Sequence, residues 1–205
     1  LARSGQPVSA VARGPTLEAV RREGLVLVEG APGDERRTTV PIHASDDPAD
    51  LGEQDVVILA VKTTALMQVA DAIAPLLGPY TSVLSAMNGL QWWFLHGLDD
   101  TPTGLHLETV DPGARITAAI DPARVVGCVT HLAASTPQPG VVRHTMGDRL
   151  IIGEPAGGTS TRAQAIAAML SRASFTIDTS DQIQRDVWFK LWGNMTINPI
   201  SAMTG

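Results

Sequence analysis

Hydrophobic positions along the chain alternate between two spacings, one suited to strands and one to helices. A short apolar run at Pro7 to Ala12 predicts a strand, and Pro15 to Glu23 repeats apolar positions at helical spacing, with Pro15 suited to a first turn. Leu25 to Val28 and Thr38 to His43 alternate as a hairpin or edge strands do, joined by the charged, glycine-rich EGAPGDERR. DVVILAV, Asp55 to Val61, is continuously apolar and β-branched, which predicts a strand buried on both faces of a parallel sheet. A helix over ALMQVADAIAPLL and a strand over TSVLSA follow. Further on, RVVGCVTHLAA, GVVRHTMG and DRLIIGE predict three strands, STRAQAIAAMLSRA a helix and FTIDT a strand, before a long helix begins near Asp181.

Strands that alternate with helices predict an α/β chain on an open, doubly wound, mainly parallel sheet of the Rossmann type, where ligands collect at the carboxyl ends of the strands. Lys62 and Asn88 both stand at such ends. The pattern shifts between Asp178 and Asp181, which sets residues 1–178 as the sheet domain and 179–205 as the start of a helical one.

With 44% hydrophobic residues in 205, the chain has ample material for a packed core. A net charge of −6 and arginines scattered in ones and twos argue against a nucleic-acid surface. The single cysteine, Cys128, sits in the apolar run VVGCVTHLAA and reads as a core residue rather than a nucleophile. LARSGQPVSAVAR lacks the apolar segment of a signal peptide, and the uncharged stretch from Ala72 to Leu98 is interrupted by prolines and glycines, so neither secretion nor a membrane span is expected. The expected location is the cytoplasm, where the sequon at Asn194 carries no meaning.

Candidate chemistry centres on KLWGNMTINPISAMTG, where Lys190, Asn194 and Asn198 repeat every four residues and therefore share a helical face. A lysine on an apolar helix can donate a proton or a charged hydrogen bond to a carbonyl oxygen; the competing reading is a lysine that reaches solvent. Two asparagines on one stripe suggest recognition of polar groups, since asparagine is a poor mid-helix residue. Lys62 precedes a predicted helix, where a cation opposes the helix dipole unless an anion lies nearby. Asn88-Gly89 is by itself a turn signal, and Arg13, at a strand tip, could grip a phosphate or lie free on the surface. Trp92-Trp93-Phe94 reads most simply as local packing. The five histidines show no ligand spacing, and HExxH, paired CxxC, GxSxG and GxxxxGK[ST] patterns do not occur, so no metal site is expected.

Taken together, ARGPTLEAVRREGL, DVVILAVKTTALMQVADAIAPLLGP, Asn88-Gly89-Leu90, PGVVRH and KLWGNMTINPISAMTG resemble the ketopantoate reductase family in order and spacing. The most specific part is the Lys190, Asn194, Asn198 helix, which matches the family's KxxxNxxxNP pattern. The resemblance implies reduction of a 2-oxo acid, with 2-dehydropantoate as the name substrate, by a nicotinamide cofactor. It implies Lys190 as the catalytic proton donor, Asn88, Asn194 and Asn198 as substrate-binding residues, and Lys62 and Asn88 along the cofactor cleft. Arg13 falls where the family sets a cation against the 2′-phosphate, which favours NADP. A small-molecule substrate and a homodimer are the partners it admits, with neither nucleic acid nor membrane.

Three departures from the family accompany the resemblance. The GxGxxG strand and turn are absent from this sequence, the helical domain is expected to continue past Gly205, and Gln91 to Ala123 is longer than the connection the family uses. Two other readings stay open at this level: a non-catalytic Rossmann-like binding or assembly module, and a 3-hydroxy acid dehydrogenase of similar architecture. The Asn198-Pro199 pair and PGVVRH favour the reductase over the latter.

Overall fold

The structure is a computed structural model that describes residues 1–99, 101, 102 and 104–204. Asp100 and Thr103 of the long Gln91 to Ala123 stretch, and the terminal Gly205, lie outside the described residues.

The strands are β1 (Ser9–Val11), β2 (Leu25–Glu29), β3 (Arg36–Val40), β4 (His43–Ser45), β5 (Gln54–Leu59), β6 (Leu77–Ser85), β7 (Val125–Gln138), β8 (Val141–Gly153) and β9 (Thr176–Ser180). The α-helices are α1 (Gly14–Glu23), α2 (Leu66–Ala72), α3 (Arg115–Ala119), α4 (Thr161–Arg172) and α5 (Ile183–Thr204). β1 and β4 pair in parallel as a small two-stranded sheet, while the main sheet runs β3-β2-β8-β7-β6-β5 with β9 on β8. Its pairings are parallel except for the β2–β3 and β7–β8 hairpins, as expected of a mainly parallel, Rossmann-like α/β sheet.

Both faces of the sheet are covered. On one face Val57, Val83, Val125 and Val129 pack with Leu66 and Ile73 around α2, with Trp92, Trp93, Ile116 and Ile120, and with Ile183 and Val187 of α5. On the other face Leu84, Val126, Cys128 and Ile152 meet Ala163, Ile166 and Leu170, the apolar stripe of α4. Gly127 lies between the layers: a Cβ there would stand 2.7 Å from the Trp93 ring, so a side chain at this position would displace the largest buried group of the core.

Several elements differ from their predicted form, each for a local reason. β1 is shorter than Pro7 to Ala12, since pairing with β4 covers only Ser9 to Val11. β5 is not buried on both faces: Val57 and Leu59 point into the core, whereas Ile58 is 38% exposed, because β5 bonds only to β6 and carries cover on one side. The helix over ALMQVADAIAPLL is three short pieces, with a 3₁₀ turn at Thr63–Ala65 before α2 and another at Ala74–Leu76 that takes Pro75 in its first turn. GVVRHTMG and DRLIIGE are one continuous strand. Gly147, at φ +74°, absorbs an irregularity in the pairing with β7 and lets the strand run on; a Cβ there would meet the His131 carbonyl at 2.4 Å. Among the described residues no helix is long and apolar enough to cross a membrane.

The long connection after β6 is a packing layer. Trp92 and Trp93 are buried, and Trp92 Nε1 donates to the Ile120 carbonyl at 3.0 Å. Asp111, fully buried, accepts from the Ile116 and Thr117 amides and the Thr117 hydroxyl, satisfying the free N–H groups at the start of α3. Phe94 leans on Trp188 of α5 with ring centroids 6.5 Å apart.

Candidate active site

α5 begins inside the protein and leaves it. Ile183, Gln184 and Val187 are buried, and Gln184 Nε2 anchors the first turn by donating to the carbonyls of Pro155 (2.6 Å) and His96 (2.9 Å). Lys190 lies one helical turn beyond, half-buried over the end of β6 and the middle of β7.

Three acceptors surround the Lys190 ammonium. Nζ donates to Asn88 Oδ1 at 2.6 Å, to Thr130 Oγ1 at 3.2 Å, and to the Thr130 carbonyl. All three N–H bonds of the ammonium are thereby matched by neutral oxygens. Among the described residues no carboxylate pairs with it. Burial holds the Lys190 pKa below the ordinary lysine value, as desolvation without a counter-charge must. Nearby, burial pushes the Cys128 thiol up to about 12 against the pull of Lys190, and burial together with Lys190 and Arg149 holds the His131 imidazole below its ordinary value. Cys128 is therefore a protonated core residue rather than a nucleophile.

A small cleft opens beside the ammonium, lined by Met87, Asn88, Gly89, Val187, Lys190 and Asn194, with Val129 and Leu191 behind. Of the residues that sequence spacing groups together, Lys190, Asn88 and Asn194 meet in this cleft. Asn198 and Lys62 do not line it, and both are exposed. For Asn198 the reason is helical geometry: eight residues carry it about 12 Å along the axis and about 80° around it from Lys190. By that point α5 has left the sheet, and Ile197 and Ile200 are also exposed.

Lys62 flanks the 3₁₀ turn at Thr63–Ala65. Arg13 caps the start of α1 in extended conformation, and its guanidinium donates to Gln68 Oε1 at 3.1 Å. Both cations are exposed at the carboxyl ends of β1 and β5, and neither forms a salt bridge among the described residues. Such unpaired guanidinium and ammonium groups suit an anionic ligand. A larger open depression between Gly5–Val8 and Pro41–His43 shares no residue with the Lys190 cleft. No three His, Cys, Asp or Glu side chains converge as metal ligands among the described residues.

One participant escapes sequence spacing. Thr130 is a polar residue inside the apolar run that forms the middle of β7, and that break in the pattern is its only sequence signal.

Comparison with known proteins finds relatives along nearly the whole chain. Residues 1–92 match the family model described as Ketopantoate reductase PanE/ApbA. A 2-dehydropantoate 2-reductase of Mesorhizobium japonicum is 42% identical over 198 residues, covering 97% of this chain and 60% of that protein. Its counterpart from Halobacterium salinarum is 31% identical over 189 residues, covering 91% and 54%. A crystal structure from Ralstonia solanacearum MolK2, provisionally named a ketopantoate reductase, superposes with a TM-score of 0.90 at 51% identity, covering 100% of this chain and 62% of that one. The chain thus spans about half to three-fifths of the length of these relatives. These matches point the same way: over nearly its whole length the chain is similar to ketopantoate reductases.

Proposed function

We propose that the protein reduces a 2-oxo acid, 2-dehydropantoate or a close relative, to the 2-hydroxy acid with NADPH, and that Lys190 supplies the proton. The observation that carries this reading is the ammonium of Lys190, half-buried, free of any carboxylate among the described residues and held at 2.6 Å from Asn88 at the mouth of a cleft. The hydride for the carbonyl carbon would come from a nicotinamide cofactor when one is bound. Lys190 Nζ turns one N–H toward the carbonyl oxygen, which gains negative charge as the carbon is reduced, and transfers its proton there to complete the hydroxyl. A lowered pKa eases that transfer, because the ammonium holds its proton less tightly than an ordinary lysine does.

Asn88 and Asn194 flank the same oxygen and the adjoining carboxylate as hydrogen-bond donors through their amide nitrogens, and Asn198 serves a more distal part of the substrate. Lys62 faces the cofactor's phosphates. Arg13 reads the 2′-phosphate, which favours NADPH over NADH. This residue set comes from the family resemblance, supported by the cleft for Lys190, Asn88 and Asn194 and by exposed, unpaired charge for Arg13 and Lys62.

Consumption of NADPH in the presence of 2-dehydropantoate, followed optically in the native protein and in Lys190→Ala, tests the proposal. Turnover by the native protein that is lost in the variant supports it. Equal turnover by both removes Lys190 from the proton-donor role.

A further inference from the structure

Beneath the Asn88 turn lies a polar group to which the proposed reaction gives no part. Gln91 is 1% exposed, and both ends of its amide are engaged inside the core. Oε1 accepts from Trp93 Nε1 at 2.8 Å and from the Ser85 hydroxyl, while Nε2 donates to the Met87 carbonyl at 2.8 Å. Ser85 and Trp93 are themselves fully buried. Ser85 ends β6 and Met87 immediately precedes Asn88, so a single amide ties the last residue of the strand to the peptide that carries the asparagine.

Apart from the Met87 side chain, itself buried in the core with Leu90 against it, little else fixes that turn. The Ala86 amide donates to the Leu59 carbonyl at 2.9 Å, but Asn88 is exposed and Gly89, at φ +85°, has open space around it. Core packing therefore cannot set the Asn88 side chain directly; its backbone must be held from below. A side chain that both donates and accepts is needed, since the Met87 carbonyl requires a donor and the Ser85 and Trp93 groups require an acceptor.

We infer that Gln91 is a positioning residue, whose buried amide holds the Met87 carbonyl and thereby keeps Asn88 Oδ1 within hydrogen-bond reach of Lys190 Nζ. Its catalytic consequence rests on the reading of Lys190 as proton donor; its geometric content does not.

Two variants of the native protein test this. Gln91→Met keeps the side-chain length and fills the core without an amide. Gln91→Glu keeps the shape but donates to the Met87 carbonyl only while its carboxyl is protonated, and it keeps the test available should the methionine variant fail to fold. In Gln91→Met, titration of Lys190, followed by NMR of isotopically methylated lysines, gives an acid dissociation constant about tenfold larger than in the native protein, because a half-buried ammonium loses a charged hydrogen bond. In the same variant kcat falls while KM for NADPH holds. Gln91→Glu matches native kcat at acidic pH and loses it with a further alkaline step that the native profile lacks. Native values for both Lys190 titration and kcat in Gln91→Met overturn the inference, as does a native pH profile in Gln91→Glu. Should Lys190→Ala keep full turnover, the proton-donor reading fails, and the Lys190 titration in Gln91→Met still decides the positioning role.

Discussion

Asn88 and Lys62 occupy equivalent places, three residues past the end of a parallel strand, yet only one of them belongs to an assembled site. The Asn88 turn leaves β6, which has a strand on either side, passes above two buried tryptophans and is met from above by Lys190. The Lys62 turn leaves β5, which bonds to β6 alone, and its side chain is exposed with no hydrogen-bond partner among the described residues. A residue at a strand end thus becomes part of a site when its strand is interior and a second element crosses over it. The residue type alone does not decide the matter.

Removing the support under Asn88 tests this contrast most severely. Trp93→Ala, at a fully buried position, should cost about 3–5 kcal/mol in urea unfolding. Tyr80→Ala, at 93% exposure on β6, should stay within about 0.5 kcal/mol. Similar losses at both would show that burial beneath the Asn88 turn is not what holds it. Next in size, Lys190→Ala should lower kcat by at least about 100-fold.

Arg13→Ala should weaken NADPH binding by about 1.5–3 kcal/mol while sparing NADH, measured by cofactor fluorescence. Equal losses for the two cofactors would separate Arg13 from the 2′-phosphate. Smallest of all, Lys62→Ala should raise KM for NADPH by about 0.5–1 kcal/mol equivalent and leave kcat in place, the scale of an exposed charge. A loss of kcat comparable to that of Lys190→Ala would place both turns in one site and break the comparison.

The pH dependence sharpens it further. Because burial lowers the Lys190 pKa, the proton-donor form disappears on the alkaline side at a pH below the ordinary lysine range, and kcat should fall there. For stability the sign is opposite: the cost of burying the ammonium is present while Lys190 is charged in the folded state, and it is relieved as pH rises through the lowered folded pKa toward the unfolded one. Lys190→Met should abolish that alkaline gain in stability, as read from urea midpoints across pH.

Much of the fold was legible because it rests on periodicity. The α1 and α4 helices, the β2–β3 hairpin and the burial of Cys128 all follow from spacing and apolar runs. What sequence patterning misjudged depends on neighbours: whether β5 has cover on both faces, and whether pairing continues past Gly147. The candidate site divides in the same way. Four-residue spacing brought out Lys190 and Asn194, but it could not reveal that α5 departs from the sheet before Asn198. Thr130 enters through a contact with Lys190, far away in the chain, and local pattern shows there only a polar break in an apolar run.

Strand β8 gives one further consequence. Its first residues, Val141 to Arg143, bond to β2, and its last, Arg149 to Gly153, bond to β9, with β7 along its other edge. The β2–β3 hairpin and the α4–β9 layer thus share no ladder with each other and are joined as two planks are joined by a splint. A backbone cut between Thr145 and Asp148, in the stretch between the two partners, would break the direct splint and leave β7, which pairs with both halves of β8, to carry the connection, so that local opening of the hairpin would be opposed by the far side of the sheet only through β7.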